Sequence, residues 1–349
     1  MANTRLVMVG AVPMGAGSPV TIQSMTNTDT RDAEATAAQI LKLEQAGCEI
    51  VRSSVYDMAC AQAFKRIKEL IHIPLVADVH FDHRLAIAAA ENGADKLRIN
   101  PGNIGGEAKV RELVACAKAH KVPIRIGVNA GSLEKDLLQR HGGPKPEAMV
   151  ESALRHVAIL EREGFYDTVV SLKASNVPDT VKAYRLMHED VDYPLHIGVT
   201  EAGLGEYALV KSAMGLGVLL LEGIGDTLRV SLTGDPVQEV TAAQQILSAA
   251  GLRRAKLEII SCPTCGRCGV NLENIVQSLR QRLQEIKTPL TVAVMGCAVN
   301  GPGEAKEADI GIAFGAGNGV LFHKGEKIAS GTAEEMLNRL VQEAKNMTE

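Results

Sequence analysis

From about residue 20 to residue 233, short aliphatic runs alternate with longer stretches that are apolar at helical spacing. The runs are PVTIQSM (19–25), EIVRSSV (49–55), PLVADVH (74–80), KLRIN (96–100), PIRIGVN (123–129), TVVSLKA (168–174), PLHIGVT (194–200) and TLRVSLT (227–233). Between them lie patterns such as DAEATAAQILKLEQAG and PEAMVESALRHVAILEREG, each closed by glycine as a helix commonly is. Eight strand-then-helix units over roughly 215 residues have the size and alternation of a (β/α)8 TIM barrel. A partial repeat agrees, since Gly47 to Arg52 and Gly93 to Arg98 both run from a helix-ending glycine through a strand to an arginine. GVLLLEG (217–223) also reads as a strand; it is assigned to a helix or connection, with TLRVSLT as the eighth strand. A doubly wound open sheet is the competing architecture, and no GxGxxG follows the first strand to support it.

After residue 250 the pattern changes. LEIIS, LTVAVMG, ADIGIAFG and NGVLFHKGEKIAS read as strands, with helices over LENIVQSLRQRLQEI and TAEEMLNRLVQEA. The chain is therefore expected to hold an α/β barrel over 1–250 and a smaller α+β domain over 251–349.

Composition narrows the cores. Nearly half of the residues are apolar, yet tryptophan is absent and aromatics are few, so the interior is aliphatic, as parallel sheets covered on both faces require. A net charge of −4 with mixed signs gives no electrostatic case for nucleic acid or an anionic membrane. The N-terminal stretch lacks signal-peptide or transit-peptide character, and no run approaches the ~18 apolar residues of a membrane span. A soluble cytoplasmic protein is expected.

In such barrels the chemistry sits where strands end. Those positions here are Arg52, Asp78, His80, Arg98, Asn100, Arg125, Asn129, Lys173, Glu201 and Ser231. A single arginine there is usually a solvated or ion-paired side chain. Four cations from four strands on one rim are costly unless an anion normally occupies it. A phosphorylated substrate carrying more than one phosphate is the natural candidate. The loop NPGNIGG (100–106) offers backbone N–H groups, or is merely a turn. His80 and His83 are read as substrate contacts before metal ligands, because a strand-to-loop transition does not put both rings on one face. Histidines 120, 141, 156 and 188 are read as surface residues without partners.

The seven cysteines divide. Cys48, Cys60 and Cys116 are scattered in apolar or helical contexts and read as packing residues, while four fall between 262 and 297. In a cytoplasmic protein these are not a disulfide framework. SCPTCGRC places Cys262, Cys265 and Cys268 at two-residue gaps, and MGCAVNGPGEA supplies Cys297 and Glu304. Zinc prefers a second C-x-x-C or C-x-x-H pair, and a redox dithiol needs no Cys297. Three thiolates from two loops suit a [4Fe–4S] cluster with one further ligand, for which Cys268 and Glu304 compete. Thiol affinity favours Cys268; a harder, more easily displaced carboxylate suits a cluster that acts on substrate.

IQSMTNTDT (22–30), LVADVHFD (75–82), RINPGNIG (98–105), IRIGVNAGSLE (124–134), LHIGVTEAG (195–203), EGIGDTLRVSL (222–232), ISCPTCGR (260–267) and VMGCAVNGPGEA (294–305) together resemble the signature blocks of the bacterial 4-hydroxy-3-methylbut-2-enyl diphosphate synthase family, in the same order. The resemblance implies a cytoplasmic enzyme that opens 2-C-methyl-D-erythritol 2,4-cyclodiphosphate by reductive dehydration, with electrons from flavodoxin or ferredoxin. It implies a TIM barrel followed by a [4Fe–4S] domain similar to the cluster domains of sulfite reductases, in the two-domain bacterial form. It implies cluster ligation by Cys262, Cys265, Cys297 and Glu304, and diphosphate contacts from Arg52, Arg98, Arg125, Lys173 and Ser231. Asp78, His80, Asn129 and Glu201 would lie near the reacting carbons, with Asn100 on the rim and Glu201 and Glu304 as catalytic groups. Cys268 departs from the family pattern. A homodimer is implied as well. Rival readings are a non-redox barrel transferase like the pterin synthases with a zinc domain, and a cluster-bearing electron carrier.

Overall fold

In the computed structural model, residues 4–286, 288–297, 303, 308–315 and 317–348 are described. The chain divides into two compact units, Met1–Arg253 and Arg254–Glu349.

The first unit opens with a hairpin, β1 (Val7–Val9) and β2 (Val12–Met14), paired antiparallel. Eight strands follow: β3 (Thr21–Met25), β4 (Ile50–Val55), β5 (Leu75–Val79), β6 (Lys96–Ile99), β7 (Ile124–Asn129), β8 (Thr168–Lys173), β9 (His196–Ile197) and β10 (Thr227–Leu228). β3 to β8 pair parallel in sequence order, β9 pairs with β10, β10 returns to β3, and a parallel bridge from Val170 to Leu195 joins β8 to the segment entering β9. The sheet is therefore a barrel. Around it run α1 (Ala33–Ala46), α2 (Met58–Leu70), α3 (His83–Glu91), α4 (Glu107–His120), α5 (Lys135–His141), α6 (Pro146–Arg162), α7 (Val177–Asp190), α8 (Gly205–Leu221) and α9 (Pro236–Ala249). GVLLLEG falls at the end of α8, as expected. The last two barrel runs form less regular strand than their sequences suggest. Beyond Leu228 the ladder ends, although Arg229 N–H still bonds Ile197 O at 3.0 Å.

The repeat at Gly47 and Gly93 has a backbone reason. Both glycines sit just past a helix with φ of +96° and +93°, a left-handed turn that L side chains avoid. Several helix starts are equally legible: Asp32, Asp57, Asp82, Asn176 and Asp235 each cap a helix with a side-chain oxygen. Outward strand residues such as Ile22, Val51, Ala77 and Leu97 pack with the inner faces of the helices in one aliphatic core. Inward residues Ile50, Val76 and Val169 pack on Val7, Val9 and Met14, so one barrel end is filled by the hairpin. The other positions of the inner face are polar, and they make the site.

In the second unit β11 (Leu257–Ser261), β12 (Leu290–Met295) and β13 (Ile310–Gly315) are parallel, and β14 (Asn318–His323) and β15 (Glu326–Thr332) continue the sheet antiparallel. α10 (Leu272–Arg282) and α11 (Ala333–Asn346) contribute Leu272, Leu279, Met336 and Leu340 to one core with Val292, Val294, Ile310 and Ile312. The alternate residues Ala293, Met295 and Ala313 form a small cluster with Phe322 on the other face, the period-2 outcome of a strand. Among the described residues no helix is long and apolar enough to cross a membrane.

Candidate functional site

The inner face of the barrel carries a cavity of about 150 Å³ lined by Arg52, Asp78, His80, Arg98, Arg125, Gly127, Asn129, Ser171, Lys173, Thr200, Arg229 and Ser231. Eight of the residues singled out in the sequence are among them. Asn100 is not; its Oδ1 accepts the Gly127 N–H at 3.0 Å and so holds the wall of the cavity. Glu201 is exposed, directly after the lining Thr200, with a left-handed φ of +53°.

Five cations line this space, and two buried carboxylates restrain three of them. Arg98 Nη1 reaches Asp78 Oδ1 at 3.2 Å and His80 Nε2 at 2.7 Å, and its Nη2 donates to Gly127 O at 3.0 Å. Arg52 Nε stands 3.6 Å from Asp78 Oδ2. Burial alone would raise the Asp78 carboxyl; the Arg52 guanidinium, His80 and Arg98 outweigh it and hold it well below the usual carboxylate range. Arg229 is forked onto Glu239 from α9. Among the described residues Arg125 and Lys173 have no such counterion. Arg125 is 1% exposed, and its Nε and Nη2 have no hydrogen-bond partner among the described residues. Lys173 Nζ lies 3.5 Å from His196 Nε2. Burial first, then the charges of Arg125 and Arg52, push the Lys173 amine well below its ordinary value. Burial likewise lowers Arg52 to about 10. Orphaned donors and disfavoured cations gathered at the end of a barrel suit the binding of an anion.

Two glycines make room for this cluster. A Cβ on Gly127 would stand 2.4 Å from Arg98 Nε, and one on Gly198 would stand 2.9 Å from Lys173 Nζ. In each case the strand after the cation carries the sequence Ile-Gly-Val, and the missing side chain lets the cation lie across it.

Arg229 was not singled out by the sequence reading, nor were Thr200 and Ser171. The signal was present: Arg229 is two residues before Ser231 and Ser171 two before Lys173, so each shares its partner's inward face. Lys96 is two before Arg98 and is wholly buried, with Met14 Sδ 3.8 Å from its Nζ. Two histidines depart from expectation. His156 is 3% exposed and accepts the Gly102 N–H through Nδ1 at 3.0 Å, while His141 Nε2 lies 2.8 Å from Glu151 Oε2. Both are therefore partnered, and His156 is a core residue of α6. It also commits the Gly102 amide, so that N–H of the NPGNIGG loop is not free for a phosphate. Cys48 and Cys60 are buried and Cys116 is half-buried, in keeping with packing.

In the second unit, Cys262 follows β11 and Cys297 comes two residues after β12. The two strands are parallel neighbours with Ser261 opposite Val294, so both cysteines leave the sheet at the same edge. Gly296 N–H donates to Cys262 Sγ at 3.3 Å. Cys268 Sγ donates to Val270 O at 3.3 Å and packs beside the α10 core. A Cβ on Gly296 would stand 2.3 Å from Cys268 Sγ and 3.7 Å from Cys262 Sγ, so glycine is required there. Cys265 is exposed. Among the described residues no three His, Cys, Asp or Glu side chains stand close enough to hold a metal ion. Glu304 lies outside the described residues. Soft donors leaving one sheet edge, with a backbone N–H on sulfur, are chemically suited to an iron–sulfur cluster.

Residues 4–244 match the GcpE TIM-barrel domain and residues 258–346 match the GcpE protein C-terminal domain. The chain is 57% identical over 346 residues to the 4-hydroxy-3-methylbut-2-en-1-yl diphosphate synthase (flavodoxin) of Geobacter sulfurreducens, covering 99% of this chain and 98% of that protein. It is 56% identical over 344 residues to the protein of the same name from Caldanaerobacter subterraneus subsp. tengcongensis, covering 99% and 97%. Among solved structures, 7,8-dihydropteroate synthase from Vibrio fischeri covers 71% of this chain and 98% of its own at 12% identity and a TM-score of 0.48. With both domains matched in order and near-full-length relatives above half identity, this chain belongs to the GcpE family.

Proposed function

We propose that the protein reduces and opens 2-C-methyl-D-erythritol 2,4-cyclodiphosphate to 4-hydroxy-3-methylbut-2-enyl diphosphate, with two electrons from flavodoxin or ferredoxin, in the cytoplasm. Near-full-length relatives carrying the diphosphate synthase (flavodoxin) name support the reaction. The observation that carries it on this chain is the cationic cavity, where among the described residues Arg125 and Lys173 make no ion pair and a diphosphate would provide one.

In this reading Arg52, Arg98, Arg125, Lys173 and Ser231 bind the diphosphate, Asn129 lies near the reacting carbons, and Asp78 and His80, also on that side, hold Arg98 in place. As two electrons enter, the ring C–O bond breaks and frees one end of the diphosphate as an oxyanion, the hydroxyl on the neighbouring carbon leaves with one proton as water, and the two carbons become the double bond of the product. Glu201, beside the lining Thr200, supplies the proton to that hydroxyl. Cys262, Cys265, Cys297 and Glu304 would hold a [4Fe–4S] cluster, whose chemistry when bound is to deliver electrons one at a time. In this reading Cys268 is not a ligand; its Sγ, 3.3 Å from Val270 O and beside the α10 core, supports a packing role. A homodimer is supported by α8, where Tyr207, Val210, Met214, Val218 and Leu221 form an exposed apolar stripe at helical spacing.

Anaerobic purification tests this directly. Iron and sulfide in near-equal amounts, a coloured protein, and turnover of the cyclodiphosphate with reduced flavodoxin are expected. A colourless zinc protein would point instead to a non-redox transferase, and a coloured protein inert toward the cyclodiphosphate to an electron carrier. Glu304→Ala should lower iron content and abolish turnover.

A further inference from the structure

Glu239 is a charged residue that neither the motifs nor the cavity lining accounts for. It sits in the first turn of α9, is 3% exposed, and does not line the cavity. Its carboxylate takes four donors. Arg229 Nε and Nη2 approach Oε2 and Oε1 at 3.0 and 2.9 Å, Ser24 Oγ approaches Oε2 at 2.9 Å, and the Leu232 N–H approaches Oε1 at 3.1 Å. That fills the acceptor capacity of an ionised carboxylate. A buried charge is retained at such cost only when its partners are fixed around it, and here the partner lines the cavity.

The far side of Arg229 faces a second guanidinium. Arg229 Nη1 lies 3.5 Å from Met25 Sδ, and Arg52 Nε and Nη2 lie 3.2 and 2.9 Å from the same sulfur. A thioether is a weak acceptor, so it spaces the two cations without satisfying either. Arg52 has Asp78 beside it. Without Glu239, nothing among the described contacts of Arg229 would oppose its repulsion from Arg52.

We propose that Glu239 is a positioning residue that fixes Arg229 as a fifth cation of the diphosphate site, holding it by a fork from behind. The inference rests on the diphosphate reading of the cavity. It separates two kinds of carboxylate: Asp78 stands in the lining and faces the ligand, whereas Glu239 stands behind the lining and neutralises Arg229 without repelling the ligand. Ser24 on β3 and Leu232 after β10 aim the carboxylate, tying the fork to the two strands whose pairing closes the barrel.

The test uses the full-length protein, purified anaerobically, with two readouts: binding of inorganic diphosphate, and KM against kcat for the cyclodiphosphate. Glu239→Gln keeps the shape but sets an amide against the fork. It should weaken diphosphate binding and raise KM by about tenfold, the scale of one charge-assisted bond, with kcat changed less than about twofold. In an Arg229→Met background the same substitution should have no further effect. An additive loss in that background, or a fall in kcat at constant KM, overturns the proposal. Arg229→Lys keeps the cation but cannot form the fork; wild-type binding by that variant would also overturn it, even if Glu239→Gln does not fold. Lys173→Met is the control for the underlying reading, since Lys173 lines the cavity away from Glu239. If Lys173→Met weakens binding and Glu239→Gln does not, only this proposal fails; if neither does, the diphosphate reading itself fails.

Discussion

The two units present their reactive groups in opposite ways. In the barrel, the cationic side chains stand on strands or just beyond them, mostly buried, with Asp78 and Glu239 holding three of five in place. In the second unit the thiols stand on loops beyond β11 and β12, exposed or half-buried, and Cys262 Sγ accepts a backbone N–H. On the proposed function, the difference matches the ligands each would receive. A diphosphate is a preformed anion, and a site that recognises it gains by fixing its donors beforehand. A cluster is assembled in place, and its ligand loops order on what they bind. Buried, partnered donors and loop-borne thiols would then be two answers to two binding problems.

The largest expected effect probes the thiol edge. Cys262→Ser should lose iron and activity by more than the roughly 10–100-fold that removal of an outer metal partner costs. Cys268→Ser should keep both within about twofold, because a serine hydroxyl can donate to Val270 O as the thiol does. Iron analysis of the two variants side by side decides it; equal losses would make Cys268 a ligand and void the contrast. A smaller effect tests rigidity in the barrel. Gly127→Ala places a methyl against Arg98 Nε, in a wall with no slack, and should raise KM about tenfold at a cost of about 1–3 kcal/mol. Unchanged kinetics would mean that Arg98 is free to move and the site is not preformed.

The gentlest test is pH. Lys173 in the free protein is held well below 10.5, and an adjacent diphosphate would favour its charged form, so binding takes up a proton. Affinity is then flat below the depressed value and falls as pH rises from there toward 10.5, by at most about tenfold per pH unit. Diphosphate titrations across that range should show the fall in wild type and lose it in Lys173→Met. A rise in affinity with pH would contradict the sign.

Much of this was written in the residue pattern. The alternation of aliphatic runs with glycine-closed helices gave the barrel, because parallel strands covered on both faces must be continuously apolar outward. Strand-end positions gave eight of the lining residues, because period-2 alternation and barrel geometry together fix which side chains face the mouth. Arg229 escaped, although Ser231 two residues on shares its inward face, because an arginine within a strand is as easily an ion-paired side chain, and its Glu239 fork is formed only in the folded barrel. His156 escaped for another reason: a histidine in an amphipathic helix looks solvated until the Gly102 amide is brought to it from 54 residues away.

What the sequence by itself determined is therefore local and periodic: the order of elements, their caps, the two-part organisation, and the thiol spacing. Only the tertiary structure decided which charges meet. Glu239 and Arg229 are ten residues apart, yet their fork depends on Ser24, 215 residues from Glu239, and on the closure of β10 against β3. Arg98 needs the absent side chain of Gly127, 29 residues on. Periodicity states which way a side chain points. Which opposite charge waits for it is set by barrel closure, a long-range event that no local pattern encodes.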